Sequence, residues 1–215
     1  MKVLVAGANG KIGRKLVDML QDGDKHTVKA MVRKKEQAGA FKEAGVETVL
    51  ANLEDPVNEL AAAAKGCDAI VFTAGSGGST GPDKTLLVDL DGAVKMMEAA
   101  GVAGIKRFVI VSALQADNRE NWNEKIKPYY VAKYYADLEL MRSSLDYTIV
   151  RPGGLLDDAG TGKVTVGKQL TGGSIPREDV ARIICTLLDD SNSYRRAFDV
   201  VSGDTDIADA LQQLA

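Results

Sequence analysis

The chain has 215 residues, 45% of them apolar and 27% charged, with a formal charge of −3 from 27 Lys and Arg against 30 Asp and Glu. This is ordinary globular composition, sufficient for a sheet covered on both faces, and it lacks the basic excess that a phosphate-backbone binder needs, which argues against nucleic acid as a partner. No apolar run approaches the roughly 20 residues of a membrane span, and Val3 to Ala6 is too short for a secretory signal core, so a cytoplasmic location without membrane attachment is expected.

In chain order, short runs rich in Val, Ile, Phe and Thr alternate with segments of helical period. Val3 to Ala6 is the first predicted strand, and Lys11 to Gln21 the first predicted helix, with Ile12, Leu16, Met19 and Leu20 on one side. Val28 to Val32 is the second strand, Thr48 to Leu50 a weaker third and Ala69 to Phe72 the fourth. Pro82 and Asp83 start, and Gly101 stops, a helix over Asp83 to Ala100 whose predicted apolar face is Leu86, Leu87, Leu90, Val94 and Met97. Strands at Phe108 to Val111, Thr148 to Val150 and Phe198 to Val201 alternate with helices at Tyr129 to Ser143 and Glu178 to Leu188, the latter entered through Pro176. Asp157 to Gly173, rich in Gly and Thr with Val164 and Val166 in alternation, is expected to form at most a hairpin or loop over the site. The strands run mostly apolar, as in a parallel sheet with both faces covered. The expectation is therefore an α/β chain: one doubly wound Rossmann domain over 1–215, its sheet mostly parallel, with a small substrate-side region around 152–176.

Gly7-Ala8-Asn9-Gly10-Lys11-Ile12-Gly13 follows the first strand directly and opens the first helix. In that context Gly7 permits a tight turn, Gly10 lets backbone approach a pyrophosphate and Gly13 allows close helix packing, so the segment points to a dinucleotide. An NAD binder carries Asp or Glu at the end of the second strand; here Met31-Val32-Arg33-Lys34-Lys35 has no acid until Glu36. Arg33 can pair with a 2′-phosphate, which points to NADP(H) ahead of NAD(H), the competing reading being a solvated basic pair.

Hydrolase and zinc chemistry lack their groups. Cys67 and Cys185 have no CxxC partner and read as buried free thiols, no Gly-x-Ser-x-Gly elbow is present, and the single histidine, His26, falls in an expected surface loop.

At this point the residues resemble a known family, the atypical short-chain dehydrogenases/reductases related to nucleoside-diphosphate-sugar epimerases, NAD-dependent epimerase/dehydratase proteins and the NmrA group. The likeness lies in Gly7-x-x-Gly10-x-x-Gly13, Asn52-Leu53-x-Asp55, Thr73-Ala74-Gly75, Ser112, Tyr129-x-x-x-Lys133 and Arg151-Pro152-Gly153. The resemblance implies that Asn52 and Leu53 line the adenine pocket, that Thr73, Ala74 and Gly75 border the cofactor ribose, and that Pro152, Gly153 and Leu155 contact the nicotinamide amide. It implies a catalytic set of Ser112, Tyr129 and Lys133, with Lys133 near both the phenol and the ribose. An ammonium there is expected to lower the Tyr129 pKa toward working pH, while Ser112 bonds the substrate oxygen.

Two departures stand out. Asn52 replaces the usual Asp, and Asp89 stands where extended relatives carry a relay Asn, a residue that accepts but cannot donate when ionised. Only about sixty residues follow Arg151, too few for the substrate lobe of sugar-nucleotide epimerases, which points to a small substrate. Two functions stay open. One is an NADP-dependent oxidoreductase or epimerase-like enzyme acting on a small carbonyl or hydroxyl compound, as monomer or homodimer and without a metal. The other is a non-catalytic module that senses NADP redox state for a partner. The loop from Gly75 to Gly81 is expected to order over the nicotinamide.

Overall fold

The computed structural model describes residues 1–78 and 80–213; Ser79 of the glycine-rich loop lies outside the described residues. The strands are β1 (Lys2–Ala6), β2 (Thr27–Val32), β3 (Glu47–Leu50), β4 (Ala69–Phe72), β5 (Arg107–Val111), β6 (Asp146–Pro152), β7 (Gly154–Leu156), β8 (Lys163–Gly167), β9 (Ser174–Pro176), β10 (Arg196–Ser202) and β11 (Thr205–Asp206). Nine form one sheet in the order β11-β8-β10-β6-β5-β4-β1-β2-β3. From β3 to β10 every pairing is parallel, with Val3 opposite both Val28 and Ala69, and Arg107 opposite both Ala69 and Asp146. The doubly wound expectation holds.

The helices are α1 (Lys11–Asp22), α2 (Lys35–Glu43), α3 (Val57–Ala64), α4 (Pro82–Lys84), α5 (Gly92–Val102), α6 (Lys127–Arg142), α7 (Arg177–Leu188) and α8 (Ile207–Gln212). They cover two separate cores. Val3 and Val5 of β1 pack with Leu16, Val17 and Leu20 of α1 and with Ile183, Ile184 and Leu187 of α7, while the alternate residue Leu4 packs with Leu60 of α3, Met96 of α5 and Leu140 of α6. A strand with a core on each face has no polar side to show, which is why its sequence runs apolar.

Two expectations change. The helix starting at Pro82 passes through a π-helical stretch, Thr85–Asp91, before α5. A wider turn shifts the face that points inward, so Leu86 is 49% exposed and Leu87 is also exposed, while Thr85 and Asp89 are buried in place of the predicted leucine face. The 157–173 segment is not a self-contained hairpin: β8 joins the main sheet antiparallel to β10, with Val164 buried, and β7 pairs with β9 in a separate parallel ribbon. His26 lies in the loop between α1 and β2, as expected. Its ring is nearly covered where the start of β1 meets the end of α7, with Nδ1 3.5 Å from the Met1 amine and Nε2 3.4 Å from Asp189. Both cysteines are unpaired; Cys67 is buried, Cys185 partly so, and burial raises both thiols, that of Cys185 to about 11.

Opposite the site, Arg107 staples the sheet to the end of α7. Its buried guanidinium donates to Asp146 O, Thr148 Oγ1, Leu187 O and Ser193 Oγ at 2.7–3.0 Å. Desolvation lowers its pKa to about 10.

Candidate active site

The predicted site residues gather along the carboxyl ends of the parallel strands. Strand order reverses between β1 and β4, and there Gly7 turns the chain with φ +91. A Cβ on Gly7 would sit 2.6 Å from Ala74 N, and one on Gly13 would press into the carbonyl of Gly7 and lie 2.9 Å from Ala8 Cα. The contacts are with backbone, which cannot swing aside as a side chain can. Gly10 bridges the turn by donating to Gly7 O at 2.9 Å, and Thr73 Oγ1 donates to Ala6 O at 3.2 Å, holding Thr73-Ala74 against the loop.

The tip of α1 is bare. No side chain caps it, its first turn contains no acid, and Arg14 N–H makes the first bond to Gly10 O. The amides of Lys11, Ile12 and Gly13 thus lack intrahelical acceptors, and donors at the positive end of a helix dipole fit a diphosphate. Asn9 does not aim its side chain there, because its Oδ1 accepts from Arg14 Nη2. Arg33 is exposed just past β2 and, among the described residues, its guanidinium makes no hydrogen bond or ion pair. Asn52 Oδ1 accepts from Glu54 N–H at 3.3 Å, and Leu53 is buried against Gly92.

Past the ends of β5 and β6 lies a cavity of about 630 Å³ lined by Ser112, Gln115, Asn121, Tyr129, Tyr130, Pro152, Gly153, Leu155 and Arg177, among others. Ser112, Tyr129 and the Pro152-Gly153-Leu155 segment therefore meet as expected. Lys133 and Asp89 do not line the cavity. They lie beneath it as an ion pair 3.3 Å apart, 3% and 1% exposed, with Lys133 Nζ also donating to Val111 O at 3.2 Å and Asp89 Oδ2 accepting from Ser76 N–H at 2.9 Å.

This pairing changes the electrostatics. Lys133 Nζ stands 5.6 Å from the centre of the Tyr129 ring. Burial lifts the phenol above its ordinary value; Lys133 opposes the lift, Asp89 adds to it, and the net direction is up. The expected depression of the Tyr129 pKa is thus corrected: desolvation outweighs an ammonium already shared with a carboxylate. Burial by itself would lower Lys133, yet Tyr129 and Asp89 together leave it raised.

Behind Ser112, Arg151 is buried between two carboxylates, donating to Asp137 at 2.9 Å and Asp117 at 2.7 Å. Desolvation raises Asp137 despite Arg151 and the neighbouring Ser112 hydroxyl, which both act to lower it, and Ser112 Oγ is buried. Residue type and spacing gave no sign of this buried network, or of Gln115. Gln115 adopts φ +64, donates to Leu170 O and accepts from Asn121, tying the β8–β9 loop to the opposite wall of the cavity. Asp199 completes that anchor by accepting from Leu170 N–H at 3.0 Å. Arg177, one residue after Pro176, carries no local signal of its role either; it pairs with Asp157 at 2.7 Å, and Asp157 in turn pairs with Lys11, linking the glycine loop to the cavity wall. Asp179 holds the loop that follows Asp157, accepting from the Thr161 and Gly162 amides at 2.8 and 2.9 Å.

Residues 7–191 match the model of a family described as NAD(P)H-binding. The chain is 62% identical to a Bacillus subtilis protein named as an uncharacterized sugar epimerase, YhfK, with all of both chains covered. Among solved structures, a provisionally named NAD-dependent epimerase/dehydratase from Bacillus halodurans superposes with a TM-score of 0.93 at 45% identity over 99% of each chain. The oxidoreductase ylbE from Lactococcus lactis gives 0.91 at 34% identity, covering 100% of this chain and 96% of that one. With a bare helix tip behind two sterically required glycines at the switch point of its doubly wound sheet, the chain belongs to this NAD(P)H-binding Rossmann family.

Proposed function

We propose that the chain is an oxidoreductase or epimerase-like enzyme that binds NADP(H) in preference to NAD(H) and acts on a small carbonyl or hydroxyl compound in the cavity beside Tyr129. The observation that carries the reading is the placement of Ser112 and Tyr129 on one cavity, at the same sheet edge as the bare α1 tip. Bound there, the dinucleotide supplies or accepts hydride at its nicotinamide. Lys11, Ile12 and Gly13 amides hold the diphosphate, Arg33 the 2′-phosphate, and the Asn52-Leu53 and Thr73-Ala74-Gly75 segments the adenine and ribose side. Pro152, Gly153 and Leu155 border the reacting ring.

Ser112, on the cavity wall beside Asp137, orients the substrate oxygen. Tyr129, whose phenol burial raises above its ordinary value, acts as the proton donor to an oxygen gaining charge. Lys133, held by Asp89 and Val111 O, keeps positive charge behind that phenol. The same hold on Lys133 favours a second reading, in which the cofactor is bound without turnover to signal redox state.

Calorimetry with NADPH and NADH, followed by turnover on a carbonyl panel, tests both readings. Arg33→Ala is expected to raise the NADPH dissociation constant about tenfold, ~1.4 kcal/mol, and to leave that for NADH within about twofold. Tyr129→Phe is expected to reduce turnover by a factor of about 100 or more at unchanged NADPH affinity. Equal turnover by wild type and Tyr129→Phe removes the tyrosine from the mechanism. Binding by the wild type with no turnover on the panel favours the redox-sensing reading.

A further inference from the structure

Arg177 is the only charged side chain among the described residues that line the cavity, and we propose that it recognises an anionic group, a carboxylate or phosphate, on the substrate. The inference rests on the reading above, that the cavity beside Tyr129 receives substrate. The guanidinium side chain is 21% exposed. Its Nη1 is spent on Leu155 O at 3.0 Å and Asp157 at 2.7 Å, while Nε and Nη2 make no hydrogen bond among the described residues. A planar fork with one donor edge engaged and another open is suited to a bidentate oxyanion. Among the described residues no carboxylate lines the cavity to compete for that edge, and the lining includes Ile126, Tyr129 and Tyr130, which suit an apolar body.

Asp157 is the internal competitor. Its carboxylate is 60% exposed, is held below the usual carboxylate range by Lys11 and then Arg177, and is screened by solvent, so such a pair is weak and yields to a better-placed anion. Because Asp157 also touches Lys11, the anion could instead be the cofactor's diphosphate, and the test separates the two sources.

The probes are 4-formylbenzoate and its methyl ester, titrated calorimetrically onto protein saturated with NADP⁺, which cannot reduce either. Wild type is expected to bind the carboxylate about tenfold more tightly than the ester. Arg177→Met is expected to bring the two probes within about twofold while NADPH affinity stays within about twofold. Asp157→Asn is expected to tighten the carboxylate probe about threefold, an effect that a purely structural Arg177 does not produce. Arg177→Lys, which keeps the charge and loses the fork, should retain part of the preference and covers the case in which the Met variant fails to fold. A preference that persists in Arg177→Met, equal binding of both probes by wild type, binding of neither, or weakened NADPH binding with the preference intact overturns the proposal; the last outcome assigns Arg177 to the diphosphate. Failure of wild type to bind NADPH sinks the proposed function instead, and the probe pair on cofactor-free protein then still tests Arg177.

Discussion

At the scale of single residues, two carboxylates carry the sharpest expectations. Asp89 pairs with Lys133 in a nearly dry position and pushes the Tyr129 phenol up. Asp89→Asn removes that negative neighbour and frees the ammonium, so the phenol should titrate lower than in wild type, read by ultraviolet absorbance of the phenolate across pH; an unmoved titration would remove Asp89 from the tuning of Tyr129. Asp199, 1% exposed, is raised to about 6, chiefly by desolvation, with Leu170 N–H opposing. A carboxyl whose folded pKa lies above its unfolded value, near 3.8, weakens the fold when ionised. Its penalty is full above pH 6 and is relieved as pH falls from about 6 toward 4, a contribution on the order of 3 kcal/mol. Asp199→Asn, which can still accept from Leu170, should be more stable than wild type at neutral pH, and the gap should close on acidification, as measured by urea unfolding at several pH values.

At the scale of elements, the π-helical stretch and the glycine turn position the site. A regular helix from Pro82 onward would bury its leucines; the widened turn at Thr85–Asp91 exposes them and delivers Asp89 to Lys133 instead. A structure that leaves Leu86 half in solvent to bury a carboxylate has its inward face set by the site and not by hydrophobic burial alone. The glycine turn is constrained in the opposite way, by lack of room. Gly13→Ala forces backbone apart at Gly7 and Ala8, and is expected to raise the NADPH dissociation constant about a hundredfold, ~3 kcal/mol, with a lowered melting temperature. Binding that survives this substitution would show that the α1 tip is not where the diphosphate sits.

At the scale of the whole molecule, the two cores leave the carboxyl edge of the sheet to function and its other edge to structure. Arg107 and its four acceptors join β5, β6 and the end of α7 on the structural side. On the functional side, Lys133–Asp89 and Asp137–Arg151–Asp117 place buried charge directly beneath the cavity. Long-range pairs shape that cavity: Gln115 reaches Leu170 across 55 residues of sequence, and Lys11 reaches Asp157 across 146.

The pairing of Ser112 with Tyr129 came from the family resemblance, whereas the doubly wound sheet and the glycine turn were legible in the residues themselves. Their signals are local: an apolar run, a 3.6-residue period, or a glycine where φ is positive. Helices α2 and α3, rich in alanine or charge, carry periodicity too weak to mark them in the sequence. Which way Asp89 points, the sign of the Tyr129 shift, the entry of β8 into the main sheet and the pairing of Arg177 with Asp157 were decided only by tertiary structure. Each depends on how distant segments share one buried volume, and desolvation in that volume, which no local pattern records, set the electrostatics of the site.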